Sequence, residues 1–184
     1  METYTYNPTG EVTQIQYAEK AVGNISLTEA EKQLIRMYPG QAALVRISQQ
    51  HTDEWTNKVF GEYYKEESWK DGDAANAYRH AMWNALMVMN LGEEKAKRWA
   101  DAHEAWPKEL DMHIREDGFS NGKHTEMDLH NNQIGIDIGV RMSGMEPDSV
   151  TVNMISEAIL VELRRGNMDV LVDNGWYTEV SECD

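Results

Sequence analysis

The chain has 184 residues, of which 41% are hydrophobic, and this suits a single globular domain with a core. It carries 17 Lys and Arg against 32 Asp and Glu, a formal net charge of −15, which repels phosphate backbones at long range. We therefore expect no nucleic-acid partner, whereas the acidic surface offers a place for a protein partner. The only cysteine, Cys183, excludes an intrachain disulfide and a thiolate zinc site.

Residues 1–10 lack the charged and apolar regions of a signal peptide, and no apolar run reaches membrane-spanning length. We therefore expect no transmembrane segment. These features fit a cytoplasmic protein. They fit equally well a protein exported by a non-classical route or a domain of a larger secreted protein.

The predicted fold is all-α, a single compact helical domain of about six helices. A polar N-terminal arm, residues 1–25, precedes the helical domain, residues 26–166, and a tail, residues 167–184, follows it. Two β-prone runs around Asn174-Gly175 predict a small hairpin in that tail.

A helix-capping sequence and a helix-breaking Pro-Gly pair predict the bounds of the first two helices. Ser26-Leu-Thr-Glu29 forms a capping box that begins the first helix, and Pro39-Gly40 separates this helix from a second one over residues 41–60. One face of the second helix carries Leu44, Ile47, His51, Trp55 and Val59, so we expect His51 in the core.

The third predicted helix, residues 73–91, is apolar on most sides, which indicates burial. Its polar residues nevertheless share one line along the helix at about 100° per residue. They are Asp73, Asn76, His80 and Asn84. Each buried polar group left without a partner costs about 1–3 kcal/mol, so another polar surface must face this line.

A fourth helix, residues 93–105, carries His103 on an apolar face and Glu104 near its end. The long polar segment 107–125 that follows predicts a mobile flap. We expect its two histidines, His113 and His124, to be exposed.

A fifth helix is predicted from a cap at Thr125 to Met142, and a sixth covers residues 148–165. One face of the fifth carries Asp128, Asn131, Asn132, Gly135 and Gly139, and the opposite, solvated face carries His130. A glycine inside a helix costs about 1 kcal/mol relative to alanine, so two of them indicate close approach of another backbone. The simplest arrangement packs this face against helix 73–91.

Three short motifs occur in order: R-H-A-M-W-N at 79–84, A-H-E at 102–104 and M-D-L-H-N-N-Q-I-G at 127–135. Together they resemble an uncharacterised bacterial domain family found at the C-termini of secreted wall-associated and polymorphic-toxin proteins, and as stand-alone proteins. The resemblance covers residues 26–142. It implies an all-helical fold with a shared polar site and carries no assigned chemistry.

The candidate catalytic residues are His80, His103, Glu104 and Asp128. Two imidazoles and two carboxylates suffice to hold one divalent metal ion with an open position, so all four are also candidate metal ligands. Without a metal, a His–Asp pair could activate water while asparagine amides stabilise an oxyanion. The candidate substrate-binding residues are Asn76, Arg79, Asn84, Asn131 and Asn132.

Two function classes follow from these residues. The first is a bacterial hydrolase, of the toxin-effector type in the setting that the resemblance implies. The second is a non-enzymatic interaction domain whose polar motifs form a structural hydrogen-bond network. They differ because an active site must admit water and substrate, whereas a structural network need not.

Overall fold

The computed structural model describes residues 4–6, 12–15, 27–61, 70–146 and 150–172, with side chains from residue 27 onward. The elements in chain order are β1 (Tyr4–Tyr6), β2 (Val12–Ile15), α1 (Glu29–Met37), α2 (Pro39–Phe60), α3 (Ala74–Leu91), α4 (Glu93–His103), a 3₁₀ helix (Lys108–Leu110), α5 (Asn121–Ser143) and α6 (Val152–Arg164). The described part is all-α, as predicted, apart from the antiparallel β1–β2 ribbon and one isolated bridge. None of its helices is long and apolar enough to cross a membrane. The hairpin predicted at Asn174-Gly175 lies outside the described residues.

Helix α3 occupies the centre of the domain and packs against α2, α4, α5 and α6. Asp73 is its N-cap and accepts the Asn76 N–H at 2.8 Å, which satisfies one of the free donors of the first turn. Its residues 74–88 are buried apart from Arg79, so the predicted internal helix is confirmed. Every buried polar side chain on it therefore needs a hydrogen-bond partner from the protein.

Helices α3 and α5 pack directly through two glycines, as the sequence predicts. A Cβ added to Gly135 would overlap the carbonyl group of Ala81, and one added to Gly139 would lie 2.7 Å from Val88 Cβ. Only glycine allows the two helices to approach this closely. This approach brings the polar faces of the two helices together.

Helix α5 begins earlier than the sequence suggested. Its N-cap is Ser120, whose side chain accepts the Lys123 N–H, so the prediction of a cap at Thr125 is wrong. The added turn buries His124 against Asp117, which corrects the expectation that His124 is exposed. His130 is exposed on the outer face, as predicted.

The beginning of α1 and the phase of α2 also differ from prediction. The capping box of α1 is formed by Thr28 and Glu31, not by Ser26 and Glu29. His51 is exposed, and the buried face of α2 consists of Ala42, Ser48, Thr52, Thr56 and Phe60. Its hydroxyl groups donate to carbonyls one turn earlier, as Ser48 Oγ does to the Leu44 oxygen at 3.0 Å. Ser48 Oγ also accepts from Asn90 Nδ2 of α3 at 2.9 Å, so these small polar residues are buried with hydrogen bonds.

The segment between α4 and α5, predicted to be a flap, carries its own hydrogen bonds. It contains the 3₁₀ helix and an antiparallel bridge between Ile114 and Ser120. Arg115 ties it to the rest of the domain, because its guanidinium donates to Asp71 Oδ2 and Asn121 Oδ1, both at 2.7 Å. The segment thus forms a hydrogen-bonded border next to the polar faces of α3 and α5, and its predicted mobility stays a prediction.

Candidate functional site

The three sequence motifs meet at one place. Helix α3 contributes His80, the residue after the end of α4 is Glu104, and α5 contributes Asp128 and Asn132. Asp128 and Asn132 lie one helical turn apart, so both face α3. We call His80, Glu104, Asp128 and Asn132 the central cluster.

The Nδ1 side of His80 is fixed by two asparagines. Asn84 Nδ2 donates to Asn132 Oδ1 at 2.7 Å and to the His80 carbonyl oxygen at 2.9 Å. These bonds identify Oδ1 of Asn132 as an acceptor, so His80 Nδ1 carries a hydrogen and donates to it at 3.1 Å. The other end of the amide, Asn132 Nδ2, donates to Glu104 Oε1 at 3.2 Å.

The Nε2 side of His80 consequently presents a lone pair. Arg79 Nη2 donates to it at 3.4 Å, a long hydrogen bond. Asp128 Oδ1 lies 3.2 Å from the same nitrogen and is buried, yet it receives no hydrogen bond from any described residue. When Asp128 is ionised, two acceptor atoms therefore face each other in the interior.

Burial governs the charges of the central cluster. The pKa of His80 is well below its usual value because of burial first and the positive charges of Arg79 and His103 second, so the ring is neutral near pH 7. Burial, followed by the charges of Glu104 and Asp71, raises the pKa of Asp128 to about 8. Burial also raises the pKa of Glu104. A neutral imidazole beside two carboxyl groups with raised pKa values is an arrangement common at sites of proton transfer or cation binding.

His103 lies beside the central cluster but has a different partner. Its ring centre is 6.2 Å from that of His80, and its Nδ1 donates to Glu31 Oε1 at 2.8 Å. Burial lowers the pKa of His103. The hydrogen bond and the charge of Glu31 together raise this pKa by more than burial lowers it, so the net shift is upward. Glu31 is fixed in turn, because its Oε2 accepts the Thr28 N–H at 2.8 Å. Sequence reasoning missed Glu31, and its one signal is the spacing of the Thr28–Glu31 capping box.

The remaining predicted substrate-binding residues occupy different positions. Both ends of the Asn131 amide bind the main chain of Asp169, so the structure does not bring this residue to the central cluster. Asn76 accepts the Gly72 N–H at the beginning of α3. Arg79 and Asn84 border the central cluster, and Asn84 Oδ1 is buried without a hydrogen bond from the described residues.

Three members of the central cluster have the donor atoms for a metal ion. His80, Glu104 and Asp128 each offer one ligand atom, and these atoms lie within 4.8 Å of one another. They are the one such group found among the residues that the structure describes. The structure thus brings together three of the four predicted metal candidates, and it pairs the fourth, His103, with Glu31.

A family model described as Domain of unknown function (DUF6973) matches residues 32–162, more than half of the chain, and the chain belongs to this family. All three motifs fall within the matched range. No curated protein and no solved structure matches the chain.

Proposed function

We propose that this member of the DUF6973 family is a hydrolase that activates water at His80, Glu104 and Asp128. One observation carries the proposal: His80 Nε2 and Asp128 Oδ1 are 3.2 Å apart in the interior with no hydrogen bond to that oxygen from the described residues. A network built for stability places a donor against each buried acceptor. Unfavourable polar contacts of this kind are typical of functional sites.

The chemistry follows from the acceptor atoms. A water molecule bound beside Nε2 and the carboxylates gives a proton to one of them, while its oxygen forms a bond to the electrophilic carbon or phosphorus of the substrate. The bond to the leaving group then breaks, and the leaving group takes up a proton. In this proposal Arg79 and Asn84 bind the substrate, and Asn132 orients His80.

Access to the central cluster runs past Asp128 and the neighbouring His103. The side chain of Asp128 is 17% exposed and that of His103 is 24% exposed, whereas His80 is only 4% exposed. A substrate therefore approaches from the side of Asp128 and His103. In this proposal His103, held by Glu31, contacts the leaving group.

The setting of the activity rests on the resemblance of the three motifs. We propose a bacterial protein of the toxin-effector type, acting on a lipid, a cell-wall polymer or another effector target. It would act in the cytoplasm, after non-classical export, or as part of a larger secreted protein.

Three chromogenic probes test the proposal: p-nitrophenyl butyrate, bis(p-nitrophenyl) phosphate and a p-nitrophenyl glycoside. We expect at least one to be cleaved, and Asp128→Asn to lower the rate about 100-fold or more. His130→Ala is the matched control, because this exposed histidine lies on the outer face of the same helix.

The stability of Asp128→Asn separates the hydrolase from the structural network. An asparagine amide can donate to His80 Nε2, so in a hydrolase this variant keeps or gains stability while losing activity. Cleavage of none of the three probes, together with a loss of more than about 1 kcal/mol in Asp128→Asn, would support the non-enzymatic interaction domain instead.

A further inference from the structure

The tautomer of His80 prepares Nε2 for a ligand. Asn132 Oδ1 accepts at Nδ1, and the Arg79 guanidinium, which can only donate, approaches Nε2. Both contacts assign the hydrogen to Nδ1. A metal-binding histidine almost always donates its other N–H to a fixed acceptor in this way.

The distance between the two facing acceptors fits a shared cation. Two ligands bound to one zinc ion at about 2.0–2.1 Å lie about 3.3 Å apart in tetrahedral geometry. His80 Nε2 and Asp128 Oδ1 are 3.2 Å apart. A cation between them converts an unfavourable contact into two bonds.

Glu104 supplies a third ligand and a second negative charge. Its side chain is 6% exposed and that of Asp128 is 17% exposed, so both carboxylates are largely removed from water. Positive charge reaches them from Arg79, from His103 beside Glu104 and from Arg115 beside Asp128, but each carboxylate also carries the repulsion of other acids nearby. A cation bound directly between the two carboxylates would relieve their mutual repulsion.

We propose that His80 Nε2, Asp128 Oδ1 and a Glu104 oxygen bind one divalent cation of the zinc or manganese class, with open positions for water. One imidazole and two carboxylates suit these ions, and thiolate ligands are not needed. The role of the cation as the activator of water rests on the proposed hydrolase function, whereas binding of the cation does not. When bound, it would lower the pKa of its water molecule.

Metal binding is measured on the purified chain after removal of metals with EDTA. Isothermal titration with ZnCl₂, and separately with MnCl₂, should show one ion per chain for at least one of them, with a higher melting temperature after loading. Asp128→Asn and Glu104→Gln should each weaken binding at least tenfold, since each removes a charged ligand while keeping its shape.

Two control variants guard against adventitious binding. Asp137→Asn changes an exposed acid on the same helix that is bonded to Gln133, and His130→Ala removes an exposed histidine. Both should bind the ion as the unchanged chain does. Circular dichroism before titration shows whether each variant is folded, and two independent ligand variants keep the test decisive.

The inference is overturned if neither ion binds, or if Asp137→Asn weakens binding as much as Asp128→Asn. In that case one proton shared in a hydrogen bond between Asp128 Oδ1 and His80 Nε2 would account for their short distance. If probe cleavage persists in EDTA, the protein is a hydrolase that does not use a metal ion. If one ion binds per chain but no probe is cleaved, the metal site stands and the hydrolase proposal fails.

Discussion

At the scale of single residues, Asn132 decides which nitrogen of His80 faces the site. Its Oδ1 accepts from Asn84 and His80, and its Nδ2 donates to Glu104. The one amide therefore connects all three motifs. Histidines elsewhere in the chain have no such partner set, which makes them useful comparisons.

Replacing His80 and His130 by alanine should have very different effects. His80→Ala removes a buried ring and its hydrogen bond to Asn132, so we expect a loss of about 2 kcal/mol or more in the free energy of unfolding. His130→Ala should stay within about ±0.5 kcal/mol, because the side chain and its hydrogen bond to the Asn167 carbonyl oxygen are both exposed to solvent. Urea denaturation of both variants measures this. Equal losses would show that the phase of α5 is wrong.

Asp117 should make the border segment sensitive to acid. Partial burial raises the pKa of Asp117. The hydrogen bond from the Phe119 N–H and the nearby His124 together lower this pKa by more than burial raises it, so the net shift is downward. The folded form then binds its proton less readily than the unfolded form. Its contribution to stability is therefore present above the unfolded pKa of about 4 and is lost as the pH falls through the folded value.

Asp117→Asn tests this contribution. We expect it to cost about 1 kcal/mol at pH 7, through loss of the charged acceptor of the 2.8 Å bond from His124. At a pH below the folded value the variant and the unchanged chain should converge. Melting curves at both pH values measure the difference, and a gap that stays constant would contradict the assignment.

At the scale of elements, the contact between α3 and α5 depends on backbone approach. Gly135 and Gly139 lie against the main chain of α3, at Ala81 and Ala85. The central cluster lies at the same contact, so the spacing of the two helices sets the distance between His80 and Asp128. A change in that spacing should affect the site as well as the fold.

Gly135→Ala should destabilise the domain by about 3 kcal/mol, at the upper end of the cost of overpacking, because the new Cβ would overlap the Ala81 backbone. Gly144→Ala is the matched control, since the nearest atom to its Cβ would be 3.6 Å away. Thermal and urea denaturation measure both. An unchanged melting temperature in Gly135→Ala would refute the close approach.

At the scale of the whole molecule, the net charge of −15 makes the folded state repel itself. The local charges of the described surface only partly offset this, as in the exposed pairs Lys32–Glu29 and Arg98–Glu94. The repulsion acts over about 10 Å at 0.1 M ionic strength, so added salt weakens it. The expectation of a protein partner, drawn from the sequence, rests on the same acidic surface.

The melting temperature should therefore rise when NaCl is increased from about 10 mM to about 100 mM, across which the Debye length falls from about 30 Å to about 10 Å. A variant with Glu109→Lys and Glu116→Lys, which changes two exposed acids, should show a smaller rise, since its net charge is less negative. Calorimetry at both salt concentrations measures this. A melting temperature that falls with salt would mean that attractive ion pairs dominate.

The sequence alone determined the helical class, the internal helix α3 and its contact with α5 through two glycines, because these follow from periodicity and from the cost of glycine in a helix. It also predicted that His80, Glu104 and Asp128 belong to one site, because each of the three motifs carries polar residues that need partners once buried. Their mutual distances, the tautomer of His80 and the pairing of His103 with Glu31 were decided by the tertiary structure. These depend on side chains far apart in the chain, as do the exposure of His51 and the burial of His124. Periodicity reports which residues share a face, but only packing decides which face is covered and by what.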